Sequence, residues 1–244
     1  ESGISVKDLA GSGADAAYVM PSHQYPTGVV MPIGRRMELL KWAAEEKNRY
    51  LIEDDYDSEF RYKGKPIPAL QGMDRGGRVI YMGTFSKSIA PAIRVGFMVL
   101  PEHLLEAYRE RAGFYLSTVS RIDQNILYQF ITQGYYERHL NRMRALYKGK
   151  HDALMAGLKE LEDRFLIRGE YAGLHVLLTH RQGEAEESLV ARAAELGVKV
   201  YGISGCFIQP EEKLFDSTVM LGYASLSEEE IRNGAKLLAK AWTF

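Results

Sequence analysis

The chain has 244 residues, 46% hydrophobic and 26% charged, with a formal net charge of −1; that is a globular composition with room for one large or two small domains, and it lacks the basic field of a nucleic-acid binder. Its one cysteine, Cys206, excludes an internal disulfide and a multi-cysteine zinc site, and in its ordinary role is a small buried apolar residue. There is no run of about 18 apolar residues, and the opening Glu-Ser-Gly-Ile-Ser has neither the basic start nor the apolar core of a signal peptide, so the expectation is a cytoplasmic protein that spans no membrane.

Residues 1–15 combine Gly3, Gly11 and Gly13 with a short amphipathic piece, Val6 to Ala10, and read as an irregular lead-in. Ala16 to Met20 is a short apolar strand that ends in the turn Pro21-Ser-His-Gln-Tyr-Pro-Thr-Gly28, tightened by Pro26 and Gly28. Pro32 opens an amphipathic helix that carries Met37, Leu40, Trp42 and Ala43 and runs to Lys47. The next strand, from Arg49, runs into Glu-Asp-Asp-Tyr-Asp57, which places carboxylates at a strand's C-terminal end, where open α/β sheets bind ligands. Alternation sets Asp54 and Tyr56 on one face and Asp55 on the other. A metal site finds no His/Asp/Glu set at ligand spacing around these carboxylates.

Two Gly- and Pro-punctuated loops follow, at 60–68 and 71–77, and then an apolar β-rich run from Arg78 to Met82. That run breaks into Gly83, small hydroxyl residues and Lys87, as a buried strand does when it ends in a functional loop. A lysine amine attacks an aldehyde only when neutral, so such a lysine needs desolvation or nearby positive charge. Thr84, Ser86 and Ser88 offer hydroxyls and Arg94 a fork of donors, together a cradle for a phosphate dianion. Val95 to Leu100 is a continuous apolar run stopped by Pro101, the pattern of a buried strand.

Helices are expected over 102–112, 117–133 and 135–163, the last with a basic stripe (Arg138, His139, Arg142, Arg144, Lys148) that reads as a solvated face. From Gly169 the pattern changes to three strands, Leu174 to Thr179, Val198 to Tyr201 and Val219 to Ala224, with helices at 186–196 and 228–241. Ser227 followed by Glu228, Glu229 and Glu230 makes a strong helix start.

Gly83-Thr-Phe-Ser-Lys-Ser-Ile-Ala-Pro-Ala-Ile-Arg-Val-Gly96 resembles the lysine loop of fold-type I pyridoxal phosphate (PLP) enzymes, in the form seen in the aminotransferase-like domain of MocR-type regulators of the GntR family. The resemblance implies an α/β, three-layer α/β/α aminotransferase fold with a C-terminal α+β small domain. It further implies a large-domain part at 1–134, a linking helix at 135–168 and the small domain at 169–244. It makes Lys87 the lysine of the internal aldimine, Thr84 and Arg94 the phosphate holders with Ser86 beside them, Asp54 the partner of the pyridine nitrogen and Tyr56 that of the phenolic oxygen. Lys87, Asp54 and Tyr56 are then the catalytic set.

Ser22-His-Gln-Tyr-Pro-Thr-Gly28 is similar to a turn of the same family, related to the Asn-Pro-Thr-Gly turn of other type I aminotransferases. Tyr25 stands where the asparagine would be, so its contact to the phenolic oxygen is lost or passes to His23 or Gln24. Where an arginine clamp for a substrate carboxylate is expected, the chain has Met220 or Gly205. An earlier large-domain segment and an N-terminal winged helix-turn-helix, through which alone DNA would be bound, are expected ahead of Glu1, making this a fragment.

The expected function is that of an effector domain of a bacterial transcription regulator, a homodimer that senses an amine or amino acid through external aldimine formation, with transaminase activity weak or absent. The alternatives are a free-standing class I/II aminotransferase and a cofactor-free interaction module that retains the fold.

Overall fold

The computed structural model describes residues 2–65, 67–207 and 215–243. They divide into two compact units: one holds the chain up to Gln24, Val29–Glu59 and Lys65–Met143, and the other Tyr25–Gly28, Phe60–Gly64 and the chain from Arg144. No helix among the described residues is long and apolar enough to cross a membrane.

The first unit is built on a mixed sheet, β1 (Ala16–Val19), β2 (Tyr50–Asp55), β3 (Val79–Thr84) and β4 (Gly96–Val99), in that spatial order. β1, β2 and β3 run parallel, so the chain leaves all three at the same sheet edge, and β4 returns antiparallel to β3. Alternation sends Ala17, Val19, Leu51 and Val79 to one face, where they meet Leu39, Trp42 and Ala43 of α2 (Ile33–Glu45). The short amphipathic piece near the start is a helix, α1 (Val6–Gly11), capped by Ser5 and contributing Leu9 to this core.

Two buried charges tie the loops to that core. Arg36 of α2 donates to the carbonyls of Met31 (3.1 Å), Pro68 (2.8 Å) and Pro21 (2.7 Å). Glu53 of β2, wholly buried, accepts the N–H groups of Leu70 (2.8 Å) and Gln71 (2.9 Å) at the start of the one-turn helix α3 (Leu70–Met73), inside a segment expected to be loop. Burial raises the Glu53 carboxyl above its usual range, while the two N–H groups and Arg36 oppose that rise.

The expectation of a buried strand at Val95 to Leu100 is corrected: Val95 is buried, but every residue of β4 is exposed. A continuous apolar run can mark a strand covered on both faces, yet among the described residues β4 sits last in the sheet and pairs with β3 alone. Beyond it, α4 (Glu102–Ala112) and α5 (Arg121–Thr132) complete the helices that lie wholly in this unit. α5 starts at Arg121 because the Ser120 hydroxyl caps the Asp123 N–H at 3.1 Å.

The second unit carries an antiparallel sheet in the order β5 (Phe165–Arg168), β6 (His175–His180), β8 (Thr218–Gly222) and β7 (Tyr201–Gly202). β5 was not anticipated, and it makes four strands among the described residues where three were expected. The strand expected at Val198 to Tyr201 shrinks to the two residues of β7. The long helix α6 (Tyr135–Leu158) ends in a 3₁₀ turn, Lys159–Leu161, and together with α7 (Glu186–Glu195) and α8 (Glu228–Trp242) it buries Leu158, Leu161, Leu189, Leu238 and Trp242 against Phe165, Val176 and Val219.

Ser227 and Glu230 form a full capping box at the α8 start. The Trp242 indole donates to the Leu189 carbonyl at 3.0 Å. Cys206 is exposed, not buried: the chain after β7 curls into the 3₁₀ turn Ser204–Cys206, held by the buried Glu186 carboxylate through the N–H groups of Ile203 (2.9 Å) and Ser204 (3.1 Å), and the thiol lies outside the core.

Candidate functional site at the ends of the parallel strands

Because β1, β2 and β3 are parallel neighbours, the segments after them gather at one edge of the first unit: Pro21 to Gln24 after β1, Tyr56 and Asp57 after β2, and Phe85 to Ser88 after β3. Open α/β sheets bind ligands at that edge, outside the carboxyl ends of the strands. His23, Asp54, Tyr56, Thr84, Ser86, Lys87 and Arg94 all belong to this unit.

Asp54 and Asp55 part as alternation requires. Asp54 accepts the Tyr18 hydroxyl from β1, while Asp55 accepts the Tyr81 hydroxyl from β3 at 2.7 Å and the Ser58 hydroxyl at 2.8 Å. Burial first and the Asp54 carboxylate second push the Tyr18 phenol up to about 12, and the same two causes, with Asp55 as partner, raise that of Tyr81. Tyr18 is on the exposed side of the sheet, together with Met82 and Met98.

His23 does not present its ring outward. It is 1% exposed, and its Nδ1 lies 2.8 Å from Asp57 Oδ2 and 3.1 Å from the Tyr56 hydroxyl, which also donates to the His23 carbonyl at 2.8 Å. Burial raises the Asp57 carboxyl, against the lowering effect of His23 and of the more distant Lys87 charge. Asp57, Tyr18 and Tyr81 were not singled out from the sequence. Each acts through a partner on another segment, and no local pattern marks such a pair.

The lysine loop is folded on its own backbone. Phe85 N–H bonds the Val95 carbonyl at 3.0 Å, and the Thr84 hydroxyl donates to the same carbonyl at 3.3 Å while accepting the Ser86 N–H at 3.1 Å. Thr84 is therefore engaged in shaping the loop. Ser88 is buried with its hydroxyl unpartnered among the described residues. Lys87 and Arg94 are exposed. Arg94 closes the 3₁₀ turn Pro91–Ile93 in the left-handed conformation, φ 48°, which a non-glycine residue adopts only at a cost. Among the described residues no group of three or more His, Cys, Asp or Glu side chains is set to hold a metal ion.

Residues 16–238 match the family model for aminotransferase class I and II. The chain is 44% identical over 244 residues to the uncharacterized HTH-type transcriptional regulator YdeL of Bacillus subtilis, covering 99% of this chain and 52% of that protein. It is 34% identical over 244 residues to the probable rhizopine catabolism regulatory protein MocR of Rhizobium meliloti, covering 98% and 48%. Among solved structures, kynurenine aminotransferase of Pyrococcus horikoshii, in complex with PMP, superposes with a TM-score of 0.82 at 28% identity, over 97% of this chain and 58% of that one. The chain thus spans about half the length of the curated relatives it matches. Motif, topology and relatives agree: the chain belongs to the aminotransferase class I and II family, in the form carried by MocR-type HTH regulators.

Proposed function

We propose that this chain is the PLP-binding effector domain of a bacterial transcription regulator, whose ligand is an amine or amino acid. One observation carries the reading: Lys87 follows β3 and Asp54-Asp55-Tyr56 ends the neighbouring parallel strand β2, so an amine, a carboxylate and a phenol share one sheet edge. The residues fit the cofactor. The Arg94 guanidinium is exposed, and the buried Ser88 hydroxyl, unpartnered among the described residues, is a further donor in the same loop, which suits a phosphate. Tyr18 is on Oδ2 of Asp54, which leaves Oδ1 for a protonated ring nitrogen.

PLP would supply a carbonyl carbon that takes up amines covalently and a ring that withdraws electrons from them. The chain's own residues do the rest. Asp54 would hold the ring proton in place, Tyr56 would hydrogen-bond the phenolic oxygen, Arg94 with Ser86 would anchor the phosphate on a loop that Thr84 shapes, and Lys87 would form the covalent link that an incoming amine displaces. DNA binding would come from a helix-turn-helix domain elsewhere in the protein. A homodimer in the cytoplasm completes the reading; the exposed Phe114, Leu116 and Ile122 provide apolar surface for association.

Aminotransferases are also among the relatives, such as aromatic-amino-acid aminotransferase 1 of Thermococcus litoralis at 30% identity, which favours an enzyme as the second reading. The regulator stands first because YdeL and YhdI of Bacillus subtilis reach 44% and 47%. Borohydride reduction of PLP-loaded full-length protein, followed by peptide mass mapping, tests the cofactor assignment. The pyridoxyl group is expected on Lys87, and its recovery on another lysine ends the assignment.

A further inference from the structure

We propose that Asp57 is a positioning residue for Tyr56: acting through the His23 imidazole, it decides which way the Tyr56 hydroxyl proton points, and so how Tyr56 meets the cofactor. This rests on the PLP reading above, which gives Asp57 no role. His23 Nδ1 has a single in-plane site, and two oxygens address it, Asp57 Oδ2 at 2.8 Å and Tyr56 Oη at 3.1 Å. A carboxylate only accepts, so the Asp57 contact requires the proton on Nδ1, as carboxylates fix imidazole tautomers in metal and hydrolase sites. Tyr56 cannot then donate to Nδ1. Its proton goes to the His23 main-chain carbonyl at 2.8 Å, so towards Nδ1–H its oxygen acts as an acceptor. Without the carboxylate, Asp57 no longer holds the proton on Nδ1, and an Nδ1 that has lost it is an acceptor that competes for the Tyr56 proton.

A second observation separates this pair from a structural ion pair. Asp57 is 2% exposed, and its other oxygen, Oδ1, is buried without a partner among the described residues. Folding alone does not require a carboxylate that is only half satisfied, since an apolar or amide side chain would avoid the desolvation cost. The strain sits one residue after Tyr56 and within electrostatic range of Lys87, on the side of the sheet edge where the lysine loop emerges. Such unsatisfied groups gather where function overrides packing.

The test is a double-mutant cycle in the full-length protein with a tautomer measurement beside it. In cofactor-free protein labelled with ¹⁵N-histidine, His23 should be in the Nδ1–H form and should move to Nε2–H on Asp57→Asn. Asp57→Asn should weaken PLP binding about tenfold and shift the visible absorption of the bound cofactor, and should cost under about threefold in a Tyr56→Phe background. An equal cost in both backgrounds, or an imidazole tautomer indifferent to Asp57→Asn, overturns the proposal. If Asp57→Asn does not fold, His23→Gln takes its place in the cycle with the same expected dependence on Tyr56. Wild-type protein that takes up no PLP overturns the cofactor reading and this proposal with it, whereas wild-type binding with additive costs overturns this proposal alone.

Discussion

Asp54 and Asp55 are adjacent in the chain yet hydrogen-bond to tyrosines on opposite neighbouring strands, Asp54 to Tyr18 of β1 and Asp55 to Tyr81 of β3. The pleat of β2 gives them opposite faces, and the register supplies each with a different phenol: Tyr18 lies opposite Ile52, in phase with Asp54, and Tyr81 lies opposite Glu53, in phase with Asp55.

The two carboxylates should therefore differ in effect. Asp54→Asn is expected to weaken PLP binding more than tenfold relative to Asp55→Asn, since a charge-assisted hydrogen bond is worth about 1.5–3 kcal/mol. Fluorescence titration of both variants measures it. Equal losses would contradict the assignment by strand phase.

Arg94 combines a strained backbone with an exposed guanidinium. Arg94→Gly should be about 1 kcal/mol more stable to urea than Arg94→Ala, because only glycine occupies a left-handed φ without steric cost. Both variants should lose PLP affinity by about tenfold or more, the guanidinium being gone in each. A stability order of Ala above Gly would show that the strain is not borne by this residue.

Glu53 gives a pH dependence with a definite sign. Its carboxyl is raised by burial, so the folded state holds the proton more tightly than the unfolded chain. Its stabilising contribution is then full below the ordinary carboxylate range and is lost as pH rises through the raised value. The stability of the wild type relative to Glu53→Gln should accordingly be greater near about pH 4 than near about pH 7.5, as read from urea unfolding at each pH. A difference that grows with pH would mean that the two N–H groups outweigh desolvation.

Turnover is expected to be poor. Met220 is in β8 and Gly205 in the 3₁₀ turn Ser204–Cys206, so neither position named for a carboxylate clamp carries a guanidinium. A misplacement of about 1 Å at the reacting carbon can cost about a hundredfold. Full-length PLP-loaded protein mixed with a panel of amino acids should show spectral changes on amine exchange but form keto acid at well under about 1 s⁻¹. Turnover within the ordinary aminotransferase range would promote the enzyme reading.

Local pattern was enough for much of this protein. The short apolar runs located β1, β2, β3, β6 and β8, the Ser227 cap located the start of α8, and the alternation of Asp54 and Asp55 came from the pleat alone, because each is encoded within a few consecutive residues. The loop after β3 was legible for the same reason, as a break in an apolar run. What the tertiary structure decided is what depends on partners far along the chain. β5 is a strand because β6 pairs with it, a partner that its own four residues do not specify. β4 reads as buried from its apolar run, but its place at the sheet edge leaves it exposed. Cys206 is turned out by a 3₁₀ turn that Glu186, 20 positions earlier in the sequence, holds. His23 and Asp57 are 34 residues apart and meet only because β1 and β2 are parallel neighbours whose ends coincide, a proximity that no stretch of sequence contains.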